Sequence, residues 1–195
     1  MPLSDRGTIL YMTAKEHLIH LCTSLPASVP PIHESAWLSP ADIPFSEDVR
    51  QMCKDNRCGM YGKRWTCPPG VGEWEDLRKR YSAYRNAFVF TTCHTLEDSF
   101  DFEGMQAAAA AHQQLDEYIA SELHDFAEQY VHLGAGACAI CNECTYPTAP
   151  CRHPDRARQS MEACGINVVS LARSSGIRYN NGTDTVTYFS MLLFR

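Results

Sequence analysis

The sequence lacks the features of a membrane-spanning or exported protein. No apolar run approaches the roughly 20 residues that a helix needs to cross a bilayer. The first residues, MPLSDRGTIL, have neither the basic start nor the apolar centre of a signal peptide. We therefore expect a cytoplasmic protein that has no membrane partner.

The sequence also has little positive charge and none of the common nucleotide or hydrolase motifs. Its 17 Lys and Arg residues are outnumbered by 23 Asp and Glu residues, which gives a formal net charge of −6. A surface that follows nucleic-acid phosphates is net basic, so nucleic acid is not an expected partner. The phosphate loop, GxGxxG, HExxH and GxSxG motifs are absent, which removes the basis for predicting a kinase, a dinucleotide dehydrogenase or a hydrolase.

Cysteine, in contrast, is abundant, with 10 cysteines among 195 residues. Cysteines in a reducing compartment are not expected to pair, and a chain of this length with 45% hydrophobic residues builds a core without disulfides. Two of them, Cys22 and Cys164, lie in apolar sequence and are predicted to be buried without a ligand role. Metal binding best accounts for the remainder.

The densest cysteine segment is CAICNECTYPTAPC at residues 138–151. It contains a CxxCxxC run, and a fourth cysteine follows the third after six intervening residues. Successive CxxC steps wrap a loop around an iron–sulfur cluster, whereas a single zinc ion is more often held by two separated CxxC pairs. The spacing favours a four-iron cluster over zinc. The expected ligands are Cys138, Cys141, Cys144 and Cys151.

A looser cysteine set precedes this segment in the chain. Cys53, Cys58 and Cys67 are separated by four and eight residues. Three thiolates would leave one iron of a four-iron cluster open to another ligand, as three protein ligands do in catalytic zinc sites. Cys93 follows a predicted strand and is the candidate for a fourth protein ligand. The sequence leaves both arrangements open.

Two cations, Lys63 and Arg64, lie in the loop that leads to Cys67. Near a cluster, such charges would hold an anionic substrate or raise the reduction potential. The alternative is that both are solvated loop charges. They are the candidate cofactor-binding residues of the first cysteine set.

Several motifs together carry a resemblance to a known protein family. They are CGMYGKRWTCPP at residues 58–69, GAGACAICNEC at 134–144, PCRHP at 150–154 and SMEACGI at 160–166. With these motifs, residues 47–195 resemble a family of predicted metal-binding proteins of unknown function from anaerobic bacteria and archaea, domain of unknown function 2284. The resemblance implies metal binding but no particular reaction. The seven cysteines to which it assigns metal binding are Cys53, Cys58, Cys67, Cys138, Cys141, Cys144 and Cys151.

Hydrophobic periodicity predicts an α/β fold in which helices flank a small mixed sheet, with the cysteine loops at the edge of the sheet. Residues 1–46 are expected to form an N-terminal helix and an extended proline-rich crossing, and residues 47–195 the metal-binding domain. The predicted helices include residues 13–25, a short helix from Ser46 to Cys53, and residues 74–84, 105–130 and 154–164. The predicted strands are residues 86–92, 130–137 and 184–194.

One functional interpretation is an enzyme, an oxygen-sensitive iron–sulfur reductase or another cluster-based oxidoreductase. A closed cluster at residues 138–151 would transfer electrons to a cluster on the first cysteine set, where an open iron meets a small substrate. No residue can be assigned a catalytic role from the sequence.

Two alternatives need no substrate. If Cys93 closes the first cluster, the protein is an electron carrier or a subunit of a larger redox complex. The segment LRKRY at residues 77–81 would then offer a basic patch for docking an acidic ferredoxin or flavodoxin. The other alternative is a zinc-binding module that only stabilises the fold.

Overall fold

The computed structural model describes residues 12–195. Residues 1–11 lie outside the described residues. They include the first ten residues, for which the sequence predicts no signal peptide. In the part of the chain that is described, no helix combines the length and the apolar character needed to cross a membrane.

Five strands form one mixed sheet. The strands are β1 (Ser35–Leu38), β2 (Asn86–Thr95), β3 (Tyr130–Gly134), β4 (Gln159–Ser160) and β5 (Thr185–Phe194). Their order across the sheet is β1-β2-β5-β3-β4, and neighbours run antiparallel except for the parallel pair β3 and β4. The ten-residue strands β2 and β5 pair over their full length. The predicted α/β class with a small mixed sheet is confirmed.

Within residues 12–195, five α-helices and three short 3₁₀ segments accompany the sheet. The helices are α1 (Ala14–Cys22), α2 (Glu47–Lys54), α3 (Trp74–Ser82), α4 (Phe102–Glu122) and α5 (Val168–Ser175). The 3₁₀ segments are Pro40–Asp42, His124–Gln129 and Glu162–Cys164. The capping box predicted for the first helix is present, because the Thr13 side chain accepts from the Glu16 N–H and the Glu16 carboxylate accepts from the Thr13 N–H.

Side chains of the central strands alternate between two cores, one on each face of the sheet. Phe88 and Phe90 of β2 pack with α1 and α4 on one face. Ala87 and Val89 pack with α3 and α5 on the other. This period of two explains why residues 87–90 of β2 and 191–194 of β5 are continuous apolar runs, since both faces of these strands are covered.

The structure corrects three local predictions. The helix predicted over residues 154–164 is wrong, because Gln159 and Ser160 pair with β3 as strand β4, and sheet pairing overrides helical periodicity there. The proline-rich crossing contains strand β1, which pairs with β2. Helix α4 ends at Glu122, and a 3₁₀ segment follows it.

The region before residue 47 contributes to the same sheet and core as the rest of the chain. β1 is a strand of the sheet, and Leu18 of α1 is fully buried among residues of α4 and β5. The domain boundary at residue 46 stays a prediction of the sequence. The placement of the cysteine loops at the sheet edge also stays a prediction.

Arg50 of α2 is a buried cation that joins this helix to two loops. It is 5% exposed, and its guanidinium donates to the carbonyl oxygen of Ala163 and, at 2.7 Å, to that of Gly72. A Cβ at Gly165, where φ is +81°, would lie 3.3 Å from Arg50 Cγ. Because α2 carries Cys53, these contacts fix where the first cysteine set begins.

We expect Arg50→Met to lower the free energy of unfolding by about 3 kcal/mol, because the buried carbonyl of Ala163 and the half-buried carbonyl of Gly72 lose their donors while the apolar stem is kept. Urea unfolding of anaerobically prepared protein measures this change. Arg57→Met, at an exposed site just beyond the same helix, should change the free energy by less than about 0.5 kcal/mol. Equal unfolding midpoints for the two variants would contradict the role given to Arg50.

Candidate metal centre

The four cysteines of residues 138–151 line one cavity. The walls of this cavity also include Arg64, Trp65 and Thr66, which come from the first cysteine segment. The free space is about 20 Å³, which is room for about one water molecule. The structure therefore brings together the full predicted ligand set of the second site: Cys138, Cys141, Cys144 and Cys151.

The chain between the third and fourth of these cysteines is held in a compact turn. Thr145 Oγ1 donates to the Pro150 carbonyl at 2.8 Å, and the Ala149 N–H donates to the Thr145 carbonyl at 3.0 Å. Arg152 Nη1 donates to the Glu143 carbonyl at 2.9 Å. These bonds return the chain to the first three cysteines, so Cys151 lines the same cavity despite its longer spacing.

Cys144 lies in an electropositive environment. Burial favours its neutral thiol, but the backbone N–H groups of Tyr146 and Trp65 and the charges of Arg64 and Arg152 hold the pKa of Cys144 below its usual value. A lowered pKa favours the thiolate, which is the form that binds metal. The environment of Cys144 therefore suits a metal ligand.

Aromatic packing joins the two cysteine segments. The rings of Trp65 and Tyr146 meet edge to face with centroids 4.9 Å apart, and Trp65 Nε1 donates to the Ala149 carbonyl at 3.0 Å. Gly70 makes this approach possible, because a Cβ there would lie 2.8 Å from both the Arg64 carbonyl oxygen and Tyr146 Cε2. A side chain at position 70 would push the two segments apart.

The three cysteines of the first set influence one another. Burial raises the pKa of Cys67, and the neighbouring thiols of Cys58 and Cys53 raise it further. Burial also raises the pKa of Cys53, where Arg50 acts in the opposite direction, and Cys53 Sγ lies 3.9 Å from the Glu162 carbonyl oxygen. A bound cation would stabilise the thiolate forms of these neighbouring cysteines, whose thiols otherwise resist ionisation.

Cys93 lies elsewhere in the fold. It is near the end of β2 and pairs with Thr187 of β5. Cys53 instead contacts Glu162, which follows β4, and β5 and β3 lie between β2 and β4 in the sheet. This placement favours the arrangement in which the first set has three protein ligands.

The two predicted cofactor-binding cations have different positions. Lys63 is exposed to solvent. Arg64 is half-buried, lines the cavity of the second cysteine set, and also lowers the pKa of Cys67 in the first set. Arg64 therefore lies between the two sets, whereas the sequence associated it with the first set alone.

A buried hydroxyl in the cavity wall tests whether the site fits a metal group. Thr66 is 5% exposed, and its hydroxyl is close enough to Cys67 to lower the pKa of that thiol. Within residues 12–195, however, no group meets the geometry of a hydrogen bond with Thr66 Oγ1. A thiolate or inorganic sulfide would accept this bond. Across these same residues, no three His, Cys, Asp or Glu side chains converge on a single ion position, so the fit rests on donor chemistry.

A family model described as Predicted metal-binding protein (DUF2284) matches residues 36–194. The chain belongs to this family. The DUF2284 match spans both cysteine sets and confirms the resemblance that the cysteine motifs indicated. Searches of curated proteins and of solved structures found no match to the chain. The domain is thus a predicted metal-binding domain of unknown function.

Several residues of the site were not identified from the sequence. Arg152, Thr66 and Tyr146 belong to the cavity or its immediate surroundings through contacts between segments about 80 residues apart. The only signal in the sequence was their position next to cysteines, since each lies within two residues of one.

We expect Gly70→Ala to lower the metal content of the second cysteine set, because the new Cβ separates Trp65 from Tyr146. Overpacking of this kind costs about 1–3 kcal/mol. Metal analysis after anaerobic purification provides the measurement. Gly62→Ala is the control, since Gly62 has a φ of +69° and open space at its Cβ position, so that variant adds backbone strain without separating the segments. Equal metal loss in both variants would count against the proposed role of Gly70.

Proposed function

We propose that this protein is an iron–sulfur redox protein that binds two four-iron clusters. The observation that carries the proposal is the cavity lined by four cysteines, where backbone N–H groups and arginines favour the thiolate of Cys144. Hydrogen bonds and positive charge near the sulfur atoms are the means by which proteins adjust a cluster potential. A closed cluster supplies one-electron transfer when bound. Its ligands are Cys138, Cys141, Cys144 and Cys151.

The first cysteine set holds the second cluster in this proposal. Cys53, Cys58 and Cys67 supply three thiolates, and the position of Cys93 on β2 supports an open fourth site. An open position is where a small substrate binds, so the protein is proposed to be an oxygen-sensitive reductase or another cluster-based oxidoreductase. Arg64, which lies near both sets, would stabilise negative charge at either one.

The redox partner is proposed to be a small acidic electron carrier such as ferredoxin or flavodoxin. Arg78, Lys79 and Arg80 are exposed on α3, and their charges support the proposal of a basic docking patch. Complementary charge of this kind speeds encounter between partners. The compartment proposed for the protein is the reducing cytoplasm of an anaerobe, where thiols stay available to metal.

Two alternatives use the same cysteines. If both clusters are closed, the protein is an electron carrier or a subunit of a larger redox complex. If both cysteine sets bind zinc, it is a structural module. Family membership supports metal binding in each case, and the experiments below distinguish among them.

We expect anaerobically purified protein to be brown and to contain iron and acid-labile sulfide approaching two four-iron clusters per chain. The physical reason is that CxxCxxC spacing and electropositive surroundings suit a cluster of several metal ions. Metal analysis and a sulfide assay provide the measurement. A colourless, zinc-rich protein without sulfide, prepared without exposure to oxygen, would refute the iron–sulfur proposal.

Two matched cysteine variants provide the controls for this measurement. Cys141→Ala should lose one cluster, because it removes a ligand from the four-cysteine cavity. Cys22→Ala should keep all of its iron, since Cys22 is half-buried on α1 and burial raises the pKa of its thiol to about 11. Full iron content in Cys141→Ala would contradict its assignment as a ligand.

We expect Cys93→Ala to keep its iron and the wild-type cluster to respond to added thiol or cyanide. Both results follow if the first set supplies three thiolates and leaves one iron exchangeable. Electron paramagnetic resonance of the reduced protein, with and without the added ligand, provides the measurement. An unchanged spectrum in excess thiol together with iron loss in Cys93→Ala would favour the carrier instead.

A further inference from the structure

A chain of hydrogen-bonded polar side chains runs through the layer between α4 and the sheet. His94 Nε2 lies 2.9 Å from Thr92 Oγ1, which lies 2.8 Å from His112 Nδ1. His112 Nε2 lies 2.9 Å from Ser190 Oγ, and Ser190 donates to Asp116 Oδ2 at 2.9 Å. His94 is half-buried and the other four residues are buried, so the chain leads from the surface to the interior.

The hydrogen bonds of this chain all point in one direction. An ionised carboxylate only accepts, so the Ser190 proton is directed to Asp116, and Ser190 Oγ accepts from His112 Nε2–H. Burial lowers the pKa of His112 to about 4, so the ring is neutral at neutral pH and its Nδ1 accepts from Thr92. Thr92 in turn accepts from His94 Nε2–H. Every donor therefore points toward Asp116.

Asp116 is held as a carboxylate by the groups around it. Burial raises the pKa of Asp116, but nearby His132 and His112 and the hydrogen bonds from His132 and Ser190 outweigh burial and lower it overall. His132 Nε2 of β3 donates to Asp116 Oδ1 at 2.9 Å, and Arg158, just before β4, donates to the Asp116 backbone carbonyl at 3.3 Å. These are the titratable and charged groups of the described residues that contact Asp116.

Asp116 lines a cavity of about 390 Å³, a size typical of small-molecule sites. Its walls are mostly small residues of α4 and of residues 134–140. Gly134 packs directly against the carboxylate, because a Cβ there would lie 3.2 Å from Asp116 Oδ2. Cys138 lines both this cavity and the four-cysteine cavity, so the two are adjacent.

Arg158 places a positive charge in the wall of this cavity. It is half-buried and, within residues 12–195, forms no ion pair. Arg156, also in the wall, is paired with Glu117 at 3.2 Å. Half-buried charges are usually paired, so Arg158 is the group that would hold an anion.

We propose that this cavity binds a small organic anion with an apolar body, and that Asp116 supplies the bound molecule with a proton delivered from solvent through His94, Thr92, His112 and Ser190. The proposal extends the function given above, because the electrons that accompany the proton come from the reduced ferredoxin- or flavodoxin-class donor.

The proton transfer balances at every step. Ser190 passes its proton to the Asp116 carboxylate when an electron enters, and the new O–H bond of Asp116 breaks as a bond from that proton to the ligand forms. His112, Thr92 and His94 each pass on one proton and receive one, and His94 takes its proton from water at Nδ1. For each electron that the donor loses, the ligand gains one electron and one proton, and the solvent loses one proton.

The first test measures how the midpoint potential of the cluster bound by the second cysteine set depends on pH. We expect the potential of the wild type to fall as pH rises, because reduction is accompanied by proton uptake at Asp116. Asp116→Asn should lose this dependence, and Glu122→Gln, at an exposed carboxylate of the same helix, should keep it. Asp116→Asn that keeps both its iron and the wild-type pH dependence would overturn the proposal.

A second variant separates the relay from the titrating group and covers the case in which Asp116→Asn does not fold. Ser190→Ala keeps Asp116 but interrupts the chain, so it should keep most of the pH dependence and slow proton uptake at least tenfold. Stopped-flow reduction with a pH indicator provides this rate. Uptake as fast as in the wild type would overturn the relay. Absence of iron in the wild type would instead overturn the proposed function.

The anion site is tested by calorimetry of the anaerobic holoprotein with acetate, butyrate and benzoate as probes. We expect at least one probe to bind, and Arg158→Gln and Gly134→Ala each to weaken its binding at least tenfold. Arg173→Gln, at an exposed arginine of α5, should bind as the wild type does. Lack of binding of all three probes, or unchanged affinity in Arg158→Gln, would overturn the anion site.

Discussion

The contact between Trp65 and Tyr146 is the interaction on which the arrangement of the metal centre depends. Apart from Cys53, which lies on α2, the cysteines of both sets lie in irregular loops, so no helix or strand ladder fixes the relative position of the two loops. The edge-to-face ring pair, the Trp65 bond to Ala149 and the absence of a side chain at Gly70 hold them together. Next to this contact, the backbone N–H of Trp65 and the charge of Arg64 lower the pKa of Cys144. The electrostatic environment of one cysteine set is thus supplied by the loop of the other.

The sheet determines what lies beside the centre. β3 leads from the core into the second cysteine segment, and its pairing with β5 places His132 and Ser190 on the face covered by α4. Asp116 of that helix bonds to both side chains. β3 therefore contributes His132 to the buried network and leads, after Gly134, into the segment that forms the four-cysteine cavity.

The sequence predicted those parts of the structure that depend on local pattern. Periodicity identified β2, β5 and α3, and the cysteine spacing identified the set that lines one cavity. The two-residue strand β4 could not be predicted, because it has no apolar alternation and exists only through pairing with β3. The network around Asp116 comes from four separate elements. In the sequence, this network is indicated by a few polar residues, such as Ser190, next to the apolar runs of the strands.

Cys138 belongs to two cavities, and this shared wall has an electrostatic consequence. An electron that enters a poorly solvated site adds a charge whose cost is high in a low-dielectric interior. A proton that arrives at Asp116 offsets that charge, and the offset grows as the dielectric constant between the two sites falls. A hydrogen-bonded chain directed inward is the arrangement that supplies such a proton without opening the core to water. Under the proposed redox function, the burial of Asp116, costly by itself, thereby couples the cysteine site to its neighbouring cavity.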